Sequence, residues 1–203
     1  LFDRAAAEAA MGKVSGAMGV YALPPEVERK TCEKLGLKIA IHSTQILPRD
    51  AMLNFFGVLV NIAGELERYA TEIRNLQRTE IGEVMEFFKE GEQKGSAAMP
   101  HKRNPIKSEN VTGGARLMRG YFLSLVESQA TWHERDISNS IVERLNILDM
   151  FTLLHFQLIR FTGVVEKMLV NPERMKKNLE LTNGAVMSRW LRTALENKGM
   201  PRQ

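Results

Sequence analysis

Residues 95–105 read Gly95-Ser96-Ala97-Ala98-Met99-Pro100-His101-Lys102-Arg103-Asn104-Pro105 and combine a hydroxyl, adjacent cations and turn formers. Gly95 lets the chain turn and expose amide N–H groups beside Ser96. Lys102 and Arg103 add positive charge, and Asn104-Pro105 reads as a helix N-cap followed by a first-turn proline. A loop that ends at a helix N-terminus offers unpaired N–H groups and a partial positive charge, which suit a carboxylate or phosphate. The same residues also describe a solvated basic loop, and spacing alone leaves both readings open.

Other reactive side chains are dispersed. His42, His101, His133 and His155 show no zinc-ligand spacing, so no metal is expected. Cys32 is the single cysteine, which excludes an intramolecular disulfide and points to a reducing, cytoplasmic setting.

Long helices must carry this loop. Met52, Phe55, Leu59, Ile62, Leu66, Tyr69, Ile73 and Leu76 alternate spacings of three and four, predicting a long helix that begins near Pro48. Phe56, Ala63 and Ala70 widen that stripe, so more than one neighbour is expected. Ile147, Phe151, Leu154, Leu158, Phe161, Val165 and Met168 form a second run. A third helix is expected over about 105–130, although Gly113-Gly114 weakens its start. Shorter helices are expected near 25–35, 172–181 and 185–197, and no alternating strand pattern of useful length appears.

The fold class is therefore all-α, a bundle of long helices. A 30-residue helix spans roughly 45 Å, too long for its flanks to be covered within a 203-residue globule. An oligomer is expected on that ground. Between the first and third long helices, residues 89–104 contain Gly91, Gly95 and Pro100 without a helical stripe. Long irregular loops inside bundles are uncommon and usually functional or disordered.

Composition narrows the function classes. Lys plus Arg number 28 and Asp plus Glu 24, giving a net charge of +4, with 44% hydrophobic and 26% charged residues. This is an ordinary globular balance and excludes disorder throughout. No run of 18 apolar residues interrupts the sequence, so no membrane association is expected. The basic residues are spread out, with Lys102-Arg103 and Lys176-Lys177 among the adjacent pairs, and aromatics make up 7%. That pattern favours a solvated surface or a few cations facing a small anion over nucleic-acid binding. Leu1 opens a helix already under way, and a helix stop precedes Pro201, so the sequence is expected to be an internal piece of a longer chain.

The string from Gly95 to Pro105 resembles the signature loop of the fumarase/aspartase superfamily, Gly-Ser-Ser-x-Met-Pro-x-Lys-x-Asn-Pro, with Ala97 the one departure. Trp132-His133-Glu134-Arg135-Asp136-Ile137-Ser138-Asn139-Ser140 with Glu143-Arg144 is similar to the matching segment of the adenylosuccinate lyase family. Ser43-Thr44-Gln45 with Arg49-Asp50, and Lys13-Val14-Ser15-Gly16-Ala17, also look like that family. The resemblance covers essentially the whole sequence and corresponds to the family's middle portion, one partial lyase domain over 1–203 without the N-terminal region or the C-terminal domain.

The resemblance implies a β-elimination without a cofactor, releasing fumarate from adenylosuccinate to give AMP, and from its imidazole-carboxamide analogue SAICAR to give AICAR, in purine biosynthesis. It also implies a homotetramer with active sites shared between subunits. Ser96 falls on the general base, and Ala97 removes a second hydroxyl. Lys102 and Asn104 would stabilise the aci-carboxylate that forms, and Glu109 would orient the lysine or the acid histidine. Gln45 and Asn110 fall on substrate contacts. Arg135, Ser140 and Arg144 match the phosphate-binding set, with Ser140 and Arg144 four apart on one helical face. The family's acid histidine belongs to the region preceding this sequence. An argininosuccinate- or carboxymuconate-type lyase would share the loop but have no need of that phosphate set, and an inactive helical scaffold is the remaining alternative.

Overall fold

The structure is a computed structural model that describes residues 1–88, 99 and 102–201. Ser96, Ala97 and His101 lie outside the described residues. Helices run in the order α1 (Phe2–Ala9), α2 (Pro25–Leu35), α3 (Asp50–Leu76), α4 (Ile106–Glu127), α5 (Ser138–Lys167), α6 (Pro172–Leu179) and α7 (Ser188–Asn197). Two short bridges tie their ends. The first pairs β1 (Met11–Gly12) with β2 (Lys38–Ile39) in parallel, and the second pairs β3 (Val84–Met85) with β4 (Leu169–Val170) antiparallel.

The core lies where α3, α4 and α5 pack together. Phe56, Leu59, Ala63, Ala115, Met118, Leu125 and Met150 are buried in one cluster, and Ala70, Ile73, Val111, Phe161 and Val164 form a second. Within the α3 stripe Tyr69 is the departure from the sequence pattern. Ala63 and Ala70 are fully buried, whereas Tyr69, within the expected heptad, is exposed. Small residues on the contact line let α4 approach closely, and the larger heptad residues flank it. On α5 the buried line is Met150, Leu154, Gln157, Phe161 and Val164, while Phe151, Leu158 and Val165 of the expected run are exposed. The sequence stripe had merged two faces of α5, of which this chain covers one.

Gly114 is a notch rather than a weak point. A Cβ there would stand 2.4 Å from Nε2 of Gln157, which is buried and donates to the Val111 carbonyl at 2.7 Å. By length and composition α5 would suffice to cross a membrane, with a mean hydropathy of 1.2 over 18 residues. Its packing on α3 and α4 and its charged residues Arg144, Asp149 and Arg160 are those of a bundle helix.

Candidate active site

Helix α4 begins differently from the sequence expectation. Asn104 does not cap it, and Pro105 precedes the first helical residue, Ile106, instead of occupying its first turn. The capping group comes from far away. The buried carboxylate of Glu86 accepts the Ser108 amide at 2.7 Å, the Ser108 hydroxyl at 2.6 Å and the Lys107 amide at 3.2 Å. Glu86 thereby occupies the anion-binding position at this helix end, so these N–H groups are not open to a substrate anion. This corrects the reading of the α4 N-terminus as a free anion site.

Gln77 completes the anchor. Its Oε1 accepts the Glu86 amide at 2.9 Å, and its Nε2 donates to the Arg103 carbonyl at 3.0 Å. The C-terminal end of α3 thus holds both Glu86 and the chain entering α4. No spacing rule marks Gln77 or Glu86, because their contacts join residues outside any one helical or strand repeat.

Around this anchor lies an open cleft of about 830 Å³ lined by Thr71, Arg74, Asn75 and Arg78 of the α3 end, with Met99, Lys102, Asn104 and Glu109. The structure therefore brings Lys102, Asn104 and Glu109 together. Lys102 and Glu109 are exposed, and neither side chain is paired among the described residues. Asn110 is also exposed on the first turns of α4 but is not one of the residues lining this cleft. Arg74 and Arg78 add two cations that the sequence reading had not singled out.

A second cavity, of about 570 Å³, opens at the other end of the bundle. Arg135, Ser140 and Arg144 all line it, beside Arg49, Asp136 and Glu143, and Ile46, Ile147 and Phe151 form an apolar wall. Helix α5 starts at Ser138, so Ser140 and Arg144 share a face just past its N-terminus. Asp136 accepts the Ser138 hydroxyl at 2.6 Å and its amide at 2.9 Å, and these bonds hold its carboxyl below the usual value. Arg49 is neutralised by Glu143, with Nε and Nη2 each 2.6 Å from the same carboxylate oxygen. Among the described residues Arg135 and Arg144 are unpaired, so the cavity keeps two available guanidinium charges beside an apolar surface. Such a seat suits a phosphate attached to a flat apolar group.

The loop between β2 and α3 forms one side of this cavity and is clamped along its length. Lys13 Nζ donates to the Gln45 carbonyl at 3.0 Å and to the Gly16 carbonyl at 2.8 Å. The Ser15 and Ser43 hydroxyls are 2.9 Å apart, and Thr44 Oγ1 donates to the Glu134 carbonyl at 2.8 Å. Gly19, with φ of 72°, presses against Ser43 so closely that a Cβ would stand 1.9 Å from its carbonyl oxygen. Buried Glu28 holds the neighbouring turn, accepting the Val14 amide and the Tyr21 hydroxyl. The Gln45 side chain is exposed and does not line the phosphate-type cavity.

Among the described residues the cleft and the cavity do not meet. One is built on the last turns of α3 and the other on the residue preceding it, and α3 has 27 residues. That length separates them by roughly 40 Å.

Comparison with known proteins bears on these two sites. Residues 2–120 match the sequence model of a family described as Lyase. The chain belongs to this lyase family. This chain is 50% identical over 201 residues to an adenylosuccinate lyase of Synechocystis sp., covering 98% of this chain and 46% of that protein. To an adenylosuccinate lyase of Bacillus subtilis it is 48% identical over 203 residues, covering 100% of this chain and 47% of that protein. The chain thus spans under half the length of the curated relatives it matches. Among solved structures, the 3-carboxy-cis,cis-muconate lactonizing enzyme from Pseudomonas putida superposes with a TM-score of 0.82 at 27% identity, over 96% of this chain and 43% of that one. A fumarate lyase from Mesorhizobium sp. shares the fold with a TM-score of 0.80, over 97% and 44% of the two chains at 22% identity.

Proposed function

We propose that the whole protein is an adenylosuccinate lyase acting in purine nucleotide biosynthesis. It would release fumarate from adenylosuccinate to leave AMP, and from SAICAR to leave AICAR. The single observation that carries the substrate class is the cavity in which Arg135, Ser140 and Arg144 converge beside an apolar wall. A lyase for a substrate without phosphate has no use for two unpaired guanidinium groups there.

In this reading the Ser96 alkoxide removes a proton from the succinyl carbon next to a carboxylate, and the electrons move into that carboxylate. Lys102 and Asn104 lower the cost of the dianionic aci-carboxylate, and Glu109 orients the lysine or the acid histidine. The electrons then return to form the C=C bond, the C–N bond breaks, and the departing amine takes a proton from an acid outside this segment. Gln45 and Asn110 contact the substrate. No cofactor takes part in these steps.

A homotetramer with shared sites belongs to the same proposal. It is supported by the separation of the Lys102 cleft from the Arg135 cavity, and by Leu145, Leu148, Ile159 and Leu117 exposed on α5 and α4. A cytoplasmic setting fits the buried free thiol of Cys32. The test is turnover of adenylosuccinate by the whole protein. AMP and fumarate should appear in equal amounts, and Ser96→Ala should abolish their formation while AMP binding persists. Turnover of argininosuccinate or a carboxymuconate instead would overturn the assignment.

A further inference from the structure

We infer that the Arg49–Glu143 pair is a positioning strut, which sets the spacing between the Gln45 loop and the phosphate-seat residues Arg135, Ser140 and Arg144. The inference rests on the functional reading above and assigns roles to two residues that reading does not use. Arg49 ends the loop that carries Gln45, immediately before α3. Glu143 lies on α5, three residues after Ser140 and next to Arg144. Their side chains are only 13% and 22% exposed, so the pair is shielded from competing water and salt. Arg49 also donates from Nη1 to the Leu47 carbonyl at 2.8 Å, which locks the guanidinium to its own loop. The remaining links of this loop, at Ser43, Thr44 and the Gln45 carbonyl, are uncharged-acceptor hydrogen bonds. Arg49–Glu143 is therefore the charged connection between the two halves of this site that lie within one chain.

The competing role for Arg49 is a third phosphate ligand. The geometry argues against it, because Nε and Nη2 both converge on one Glu143 oxygen and the charge is already matched. The two roles predict opposite signs. If Glu143 merely restrains a ligand, Glu143→Gln frees Arg49 and AMP binds more tightly. If the pair is a strut, Glu143→Gln lets the loop and the α5 turn drift apart and AMP binds more weakly.

The experiment measures AMP and adenosine affinity by calorimetry, and KM and kcat for adenylosuccinate, in the whole protein. The variants are Glu143→Gln, Arg49→Met and the exchanged pair Arg49→Glu with Glu143→Arg. Loss of about tenfold in AMP affinity and a matching rise in KM, with kcat within about twofold, is expected of each single variant. The exchanged pair should recover most of the loss, which a general packing defect would not. Tighter AMP binding by Glu143→Gln, unchanged KM, or no recovery by the exchanged pair each overturns the strut. Absence of AMP binding and turnover in the unmodified protein overturns the functional reading itself, an outcome recognised before any variant is compared.

Discussion

Removing the Glu86 carboxylate should unfasten the start of α4. Ser108 is fully buried, and Glu86 accepts both its amide and its hydroxyl. In Glu86→Ala those two donors lose their acceptor in a site that admits little water. An orphaned buried donor costs about 1–3 kcal/mol, so the pair should cost about 3–5 kcal/mol. The Lys107 amide sits at 3.2 Å in a half-buried position and adds little. Glu86→Gln keeps one acceptor but loses the negative charge facing the helix end, worth about 1–2 kcal/mol in a partly buried geometry. A domain of ordinary stability has about 5–15 kcal/mol in total, so Glu86→Ala should show a large drop in the urea midpoint and Glu86→Gln a modest one. Because Gln77 links Glu86 to the Arg103 carbonyl, both variants should also displace Lys102 and Asn104. The expected kinetic result is a kcat at least tenfold lower in folded Glu86→Gln. Equal midpoints for the alanine, glutamine and unmodified proteins, or an unaltered kcat in Glu86→Gln, would refute the anchor.

Other expectations follow from the same geometry. Gly114→Ala gains up to about 1 kcal/mol of helix propensity, but it must push Gln157 off the Val111 carbonyl at a cost of about 1–3 kcal/mol. A net loss of thermal stability is therefore expected, and a gain would show that Gln157 can leave freely. Arg144→Ala should raise the KM for adenylosuccinate with kcat little changed, and an unchanged KM would remove Arg144 from the phosphate seat. The Ser138 hydroxyl and amide favour the Asp136 carboxylate in the folded state, so its contribution is present at neutral pH and lost as pH falls through the lowered value. Asp136→Asn should accordingly reduce Tm at neutral pH, with the difference shrinking only as pH falls below the ordinary carboxylate range; an undiminished difference in fully acidified protein would contradict the assignment.

How far the molecule could be read from its residues depended on the range of the interaction. Helical periodicity placed α3 and α4 within a few residues, because i, i+3 and i+4 spacing is a local property, but the run on α5 began only at Ile147, well after the helix starts at Ser138. Periodicity did not show that Tyr69 on α3 and Phe151, Leu158 and Val165 on α5 stay exposed, since a stripe does not say which of its residues a neighbour in the same chain covers. Ser140 and Arg144 were legible as one face because they are four apart on one helix. The Asn104-Pro105 cap was misread because a carboxylate nearly twenty positions earlier displaced it, and no local rule registers that competitor. Arg49 and Glu143 are 94 positions apart, so their pairing had no signal in spacing. The separation of the Lys102 cleft from the Arg135 cavity likewise had no signal in spacing, since it depends on the length of α3 lying between them, and only the resemblance, with its sites shared between subunits, implied it.

The most direct test of the phosphate seat is a comparison of AMP with adenosine binding to the whole protein as salt concentration is raised. The account predicts that AMP binds much more tightly than adenosine, that the advantage shrinks with salt, and that Arg144→Ala removes most of it. Equal affinity for the two ligands, or an AMP preference that survives loss of Arg144 intact, would contradict it.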